Sequence, residues 1–344
     1  MPGDFPPPPT TVGEARYRRW REFITGFRDS TAGMVGIGIL VFFLVLAILH
    51  PILLATVWNP TVYDPEMGYD FVGVTKVVVN EVFDPESQVA LDEARLRNFR
   101  AQPGDTITYP DAYGFSRGHI LGLDPLGRDV LSMVMAGAAP ALTMGTTAAI
   151  TTALVGLALA GIAAYHRGPV DWVITHVSDA LLLLPAPILM IILGSSPLGE
   201  SIGPAMFGAI YGVLMGASAT VIILRSHALS IMGQPFIDAA RVAGSGARRI
   251  ILKELVPGMM PLASVYMFVG VTGAIVADAF ITFMSYGSGR FNWGTMLYYA
   301  VSFPSPHGDV VPWHLLFASG VVISLLEASF YLIGAGIRSV SRVD

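Results

Sequence analysis

Residues 32–57 read AGMVGIGILVFFLVLAILHPILLATV, a run of 26 residues without a charged side chain. As a helix rising about 1.5 Å per residue it reaches about 39 Å, more than a hydrocarbon core of about 30 Å. Lipid offers no partner to a peptide N–H or C=O, so such a run must satisfy its backbone internally, as a helix. No small-residue cleavage site closes it, and it reads as a span and not as a signal peptide. Outward along the chain, five more stretches qualify. They are a segment within Val130–Tyr165, where no residue is charged; Trp172–Gly194, interrupted by Asp179 and Pro185; Pro204–Leu224; Gly258–Phe283, with Asp278 near its end; and Pro312–Ile337, with Glu327 inside. The weak alternation of a membrane β-barrel is absent. The expected fold is an all-α polytopic membrane protein with six transmembrane helices.

Composition agrees. Of 344 residues 53% are hydrophobic and 13% charged, against about 25% charged in soluble domains. There is no cysteine, which excludes disulfides, a thiolate nucleophile and a Cys-based zinc site. The proline-rich residues Met1–Thr11 predict a disordered start.

Lys and Arg in the connections set the expected orientation. With the N-terminus inside, Arg16, Arg18, Arg19, Arg21, Arg28, Arg167, Arg225, Arg241, Arg248, Arg249, Lys253, Arg338 and Arg342 are cytoplasmic, and the short outer loops keep only Arg290. The organisation is then a cytoplasmic segment 1–31, a first span 32–57, an extracytoplasmic loop or small cap 58–129, a core 130–338 with five spans, and a cytoplasmic tail 339–344. The outer segment is too long for a tight connection. It holds a strand-like run, Phe71–Val79, and a mixed-charge stretch of helical character, Gln88–Arg100. Between Asp64 and Asp129 twelve acidic residues face six basic ones.

On the predicted inside, residues 234–261 read QPFIDAARVAGSGARRIILKELVPGMMP. The pattern predicts two short helices broken at Gly244-Ser245-Gly246. The small side chains of Ala239 and Ala240 allow close approach by another protein, and Gly244 allows a sharp turn. Asp238, Ala239, Ala240, Gly244 and Pro257 resemble the coupling loop of ABC importer permeases, with Asp238 in place of the usual Glu. More of the chain is similar to the second, C-type permease of the dipeptide, oligopeptide and nickel importers. His119–Ser132, HILGLDPLGRDVLS, resembles that family's HPLGTDxLGRDVLSR element. Gly168, Asp171, Asp179 and Pro185 match a second element, in which His176 stands for the usual Arg. Trp293–Leu297 matches WGxML, and ITFMSYG at 281–287 is a degenerate copy of LSFLGLG. Gly334, Gly336 and Arg338 match a C-terminal element whose two Asp positions are here Ala335 and Ser339.

The resemblance implies a translocation subunit in the cytoplasmic membrane of a prokaryote. It implies a sister permease forming a heterodimer, two ATP-binding subunits and an extracytoplasmic solute-binding protein as partners. The coupling residues it implies are Asp238, Ala239, Ala240, Arg241, Gly244, Ile250 and Pro257. Cargo leans to di- or oligopeptides, with a sugar or nickel as alternatives. The chain has no GxxxxGK[ST], so ATP is held and hydrolysed by a separate subunit. No cofactor, metal or nucleic acid is expected.

Other chemistry is sparse. Carboxylates within spans are costly and mark pathways or interhelical hydrogen bonds; of Asp179, Asp278 and Glu327, the first two read first as structural, and Glu327, about halfway along its span, is the better candidate for cargo contact. An ion-coupled secondary transporter would use them as coupling sites. The seven histidines form no close i, i+4 pair. Gly287-Ser288-Gly289 invites an intramembrane-protease reading, but a nucleophilic serine needs a base within hydrogen-bond reach, and span six carries only His314, at its start.

Overall fold

The computed structural model describes residues 12–70, 74–78, 106–110, 118–197, 199–284, 291–302 and 312–341. Helix α1, Val12–Asp29, ends one residue before α2, Thr31–Thr56. Ser30 separates them in an extended conformation, and its hydroxyl caps α2 by accepting from the Gly33 N–H at 3.2 Å. The short α3, Pro60–Tyr63, follows. The strand expected at Phe71–Val79 is β1, Val74–Val78, antiparallel to β2, Thr106–Pro110, in the register Val74↔Pro110 to Val78↔Thr106. Segment 58–129 thus adds a two-stranded sheet to described residues that are otherwise mostly helical. Gln88–Arg100 lies outside the described residues.

The centre of the bundle is α4, Val130–His166. Asp129 caps it, accepting from the Ser132 N–H at 2.6 Å. The third span is not one rod. It is α5, Gly168–Leu183, and α6, Ala186–Gly194, bent by 74° at Leu184-Pro185, because proline removes a donor and clashes with the preceding turn. The fourth span is longer than its apolar run. Helix α7, Pro204–Met215, passes through a widened turn at Gly216–Thr220 into α8, Val221–Met232. Then come α9, Pro235–Val242, and α10, Ala247–Ile250. The latter continues through Ile251–Leu255 into α11, Val256–Phe283. The expected second short helix of the inner loop is therefore the start of the fifth span, which begins at Ala247 and not at Gly258. A further helix, α12, Trp293–Ser302, precedes the sixth span, α13, Trp313–Ser341. In all, five helices among the described residues can cross a membrane alone, and the bent pair makes six.

With lipid outside, helix association rests on close packing and not on burial from water. Gly208, Gly212 and Gly216 of the fourth span lie against the backbone of α4; a β-carbon at Gly212 would sit 2.6 Å from the Ala148 carbonyl oxygen. Helix α2 turns Val41, Phe42, Val45, Ile48 and Ile52 outward, all about half exposed, as a lipid-facing helix does.

Candidate functional site

Pro235 opens α9 at a position where its missing N–H costs nothing. One face of the helix is anchored: Ile237 is fully buried with Leu157, Ala228, Met232, Ile250 and Leu255. The other face is open. Asp238, Ala239 and Arg241 are exposed, Phe236 is 49% exposed and Val242 90%. The Asp238–Arg241 contact at 3.2 Å is solvated and stabilises little.

The helix ends in a glycine-capped turn. The Ser245 N–H donates to the Ala240 carbonyl at 3.0 Å and the Gly244 N–H to Arg241 at 2.9 Å, the double closure that requires a left-handed residue between. Gly244 supplies it with φ +81° and has nothing within 4 Å of where a β-carbon would stand. Gly246 has an ordinary φ of −75°. Arg248, Arg249 and Lys253 then line an exposed strip.

The seven proposed coupling residues therefore divide. Asp238, Ala239, Arg241 and Gly244 lie on the open surface, and Ala240 is half-buried. Ile250 is fully buried and holds the loop to the bundle from below. Pro257 is exposed but lies inside the continuous fifth span, beyond the loop.

The sequence reading did not pair Asp171 with Arg225. They form a two-pronged ion pair, Nη2 to Oδ2 at 2.5 Å with a second bond from Nε to Oδ1. It ties the first turn of α5 to α8, which leads directly into α9. Each residue had a signal, Asp171 in a matched element and Arg225 as the first charge after the fourth apolar run, but 54 positions separate them.

The three membrane carboxylates are not brought together. Asp179 is exposed on α5 and has no polar partner among the described residues. Asp278 is half-buried, accepts from Asn292 Nδ2 at 2.6 Å, and lines a cavity with Pro140, Gly194, Phe207, Thr282 and Phe291. Glu327 is half-buried, with Oε1 enclosed and without a partner. Its neighbours in helical phase, Gly320, Ile323 and Ser324, face α11. Among the described residues no cluster of His, Asp and Glu could hold a metal ion. His314 Nε2 contacts the Leu123 carbonyl at 2.8 Å. Gly287-Ser288-Gly289 lies outside the described residues.

The element 119–132 forms a clasp at the head of α4. Asp124 accepts from the Leu126 N–H at 2.9 Å and the Arg128 N–H at 2.8 Å, and from the Arg128 guanidinium. That guanidinium also lies 3.9 Å over the Tyr299 ring of α12. His119 bridges Asp129 at 2.8 Å and Asp70 at 3.0 Å. Burial disfavours its charged form, but hydrogen bonds and the charges of the two carboxylates outweigh this and raise its pKa above the usual histidine value. A raised folded-state pKa stabilises fully below the unfolded value of about 6.5, and that stabilisation is lost as pH rises through the raised value. The clasp should therefore loosen on the alkaline side. A cysteine at buried Leu123 should react faster with a thiol reagent at about pH 9 than at about pH 6, after correction for thiolate fraction. The change should vanish in His119→Gln.

With this geometry in place, residues 152–338 match the family described as binding-protein-dependent transport system inner membrane component. The chain belongs to that family. It is a membrane permease subunit of the ABC importer class, built of α4–α13 with α1–α3 and the two-stranded sheet in front. It is similar to the dipeptide transport system permease protein DppC of Bacillus subtilis, 30% identical over 65% of this chain and 68% of that protein. It is 28% identical to the oligopeptide permease protein OppC of the same organism, over 65% and 71%. It is 29% identical to the glutathione permease protein GsiD of Escherichia coli, over 69% and 77%. The C-type resemblance read from the sequence elements thus holds for this permease.

Proposed function

We propose that this permease forms half of a heterodimeric pathway for di- or oligopeptides, driven by two separate ATP-binding subunits and loaded by an extracytoplasmic binding protein. The single observation that carries the coupling role is α9. It is anchored by one buried isoleucine, closed by a glycine turn, and open on the side that presents Phe236, Ala239 and Val242. Three apolar side chains left in water at the end of a membrane bundle suit a partner groove. Closure of the ATP-binding subunits displaces α9, and α8 with the Asp171–Arg225 pair carries the displacement to the bent span. The pathway then alternates between its inner and outer openings.

Peptide as cargo rests on the relatives, whose names are dipeptide, oligopeptide and glutathione permeases. Asp179 is the best-supported pathway residue. It stands eleven residues after Gly168, about 17 Å into the membrane, and an open carboxylate at that depth needs water or a cationic group and not lipid. The bends at Pro185 and Ser218 flank a cavity lined by Leu181, Pro185, Tyr211 and Ser218, which gives the span room to rock. Asp278 and Glu327 are enclosed by this chain's own helices and fit the pathway less well.

The reading places both termini and α9 inside. In intact cells a cysteine at Arg248 should escape an impermeant maleimide and react after permeabilisation, on a background free of native cysteine. Labelling in intact cells would overturn the orientation. In proteoliposomes with all partners, peptide uptake should require lumen-independent ATP on the α9 side and persist when the proton gradient is collapsed. Uptake driven by the gradient alone would favour an ion-coupled carrier.

A further inference from the structure

The chain places an 18-residue helix, α1, directly before its first span. The sequence of α1 is VGEARYRRWREFITGFRD. At 100° per residue, Phe23, Ile24 and Phe27 fall within one arc of about 100°, and Arg21, Glu22, Thr25, Arg28 and Asp29 fall on the other side, so the second half of the helix is two-faced, while Arg16 and Arg19 interrupt the apolar phase nearer its start. Five arginines stand against three acidic residues. Such a helix is too polar to cross a bilayer and too apolar on one face to stand free in water.

Its position follows from two contacts. The Phe27 ring occupies a notch over Gly33 of α2 and Gly336 of α13; β-carbons there would fall 2.7 and 2.9 Å from the ring. A β-carbon at Gly26 would meet Val340 at 3.2 Å. The last turn of α1 is thus pinned to the ends of two spanning helices, at the rim of the membrane. Ser30, with φ −77° and ψ 104°, breaks the helical path, so α1 need not continue the line of α2. Ile24, at the edge of the apolar arc and 100° from Thr25, is 52% exposed, and Arg21, Glu22, Thr25 and Arg28 are exposed on the polar side.

We propose that α1 lies on the bilayer surface as an amphipathic anchor, with its apolar side among acyl chains and its arginines on anionic lipid headgroups. The occupant is lipid and not a protein groove, for two reasons. The helix is fixed at the height of the headgroups by the turn at Phe27. Its arginine excess is complementary to the anionic surface found there. The anchor would hold the first and sixth spans in register while the remainder of the bundle moves. The inference builds on the permease reading only in taking α2 as a span.

The test uses the full chain in nanodiscs, with both faces open to reagents, so the result is independent of which side is cytoplasmic. Nitroxide labels are placed at Ile24→Cys and Thr25→Cys, in discs of phosphatidylcholine alone or with about one third phosphatidylglycerol. In the anionic discs the Ile24 label should favour oxygen over a water-soluble nickel chelate several-fold, and the Thr25 label should favour nickel. The Ile24 preference should fall in phosphatidylcholine, and Arg18→Gln/Arg21→Gln/Arg28→Gln should abolish the lipid dependence. Equal nickel access at both sites, or Ile24 immersion indifferent to headgroup charge, would overturn the proposal.

Discussion

Gly244→Val should leave the protein inserted and folded but stop it from coupling transport to ATP. The glycine turn closes α9 at φ +81°, where a β-branched residue is strained by about 2 kcal/mol, or roughly thirtyfold in the population of the native turn. No neighbouring atom lies within 4 Å, so nothing else in the chain is disturbed. The loss is confined to the direction in which α9 leaves the bundle. Gly246→Ala is the internal control, since Gly246 sits at φ −75° and is equally open. In reconstituted complexes the Gly244 variant should keep its melting temperature in detergent, while stimulation of ATP hydrolysis by loaded binding protein and peptide uptake both fall more than tenfold. Gly246→Ala should retain both. Uptake at the normal rate by Gly244→Val would remove α9 from the coupling path.

How far the sequence foretold this depends on which force decides each feature. Spans are readable because crossing lipid requires a nearly uncharged run; five of the six predicted runs coincide with single long helices and the third with a bent pair. Their ends were not readable. The fourth apolar run, Pro204–Leu224, stops at Arg225, yet α8 continues to Met232, since Asp171 satisfies that arginine. The fifth apolar run starts at Gly258, after Arg248, Arg249, Lys253 and Glu254. Those side chains face outward on a helix that Ile250 and Leu255 hold against the bundle. Hydropathy counts a charge as a boundary whether or not a partner lies 54 residues away. Gly244 was legible because a left-handed turn has a residue preference of its own. Asp278 and Glu327 were legible only as costs, since their surroundings are set by helix packing that no local pattern encodes. Trp293 was recognised by motif, but not as the start of a helix whose indole donates to the Val134 carbonyl at 2.9 Å.

The largest stability effect should come from Gly212→Val, at a site the sequence concealed among 37 glycines. Gly208, Gly212 and Gly216 recur every four residues and so share one face of the fourth span, the small-residue pattern that lets membrane helices approach closely. The surface they meet is backbone. A β-carbon at Gly208 would fall 2.9 Å from the Met144 carbonyl carbon. At Gly212 it would fall 2.6 Å from the Ala148 oxygen and overlap Thr151 Oγ1, and at Gly216 2.9 Å from the Thr152 oxygen. A flexible side chain could move aside, but α4 is the central helix and its carbonyls are fixed by its own hydrogen bonds. Added volume in a packed interior costs about 1–3 kcal/mol when side chains can adjust, and more is expected here because a whole helix must retreat. Gly212→Val should therefore lower the melting temperature in detergent by about 10 °C or more, or prevent accumulation of folded protein. Gly38→Val is the matched control, with no atom within 4 Å on the lipid-facing side of α2, and should melt as the parent does. The milder Gly212→Ala separates the two causes. Adding Thr151→Ala removes the hydroxyl from its path but leaves the Ala148 carbonyl, so stability should return in part and not in full. Full recovery would assign the close approach to one side chain, and an unchanged melting temperature in Gly212→Val would mean that the two spans do not meet through this face.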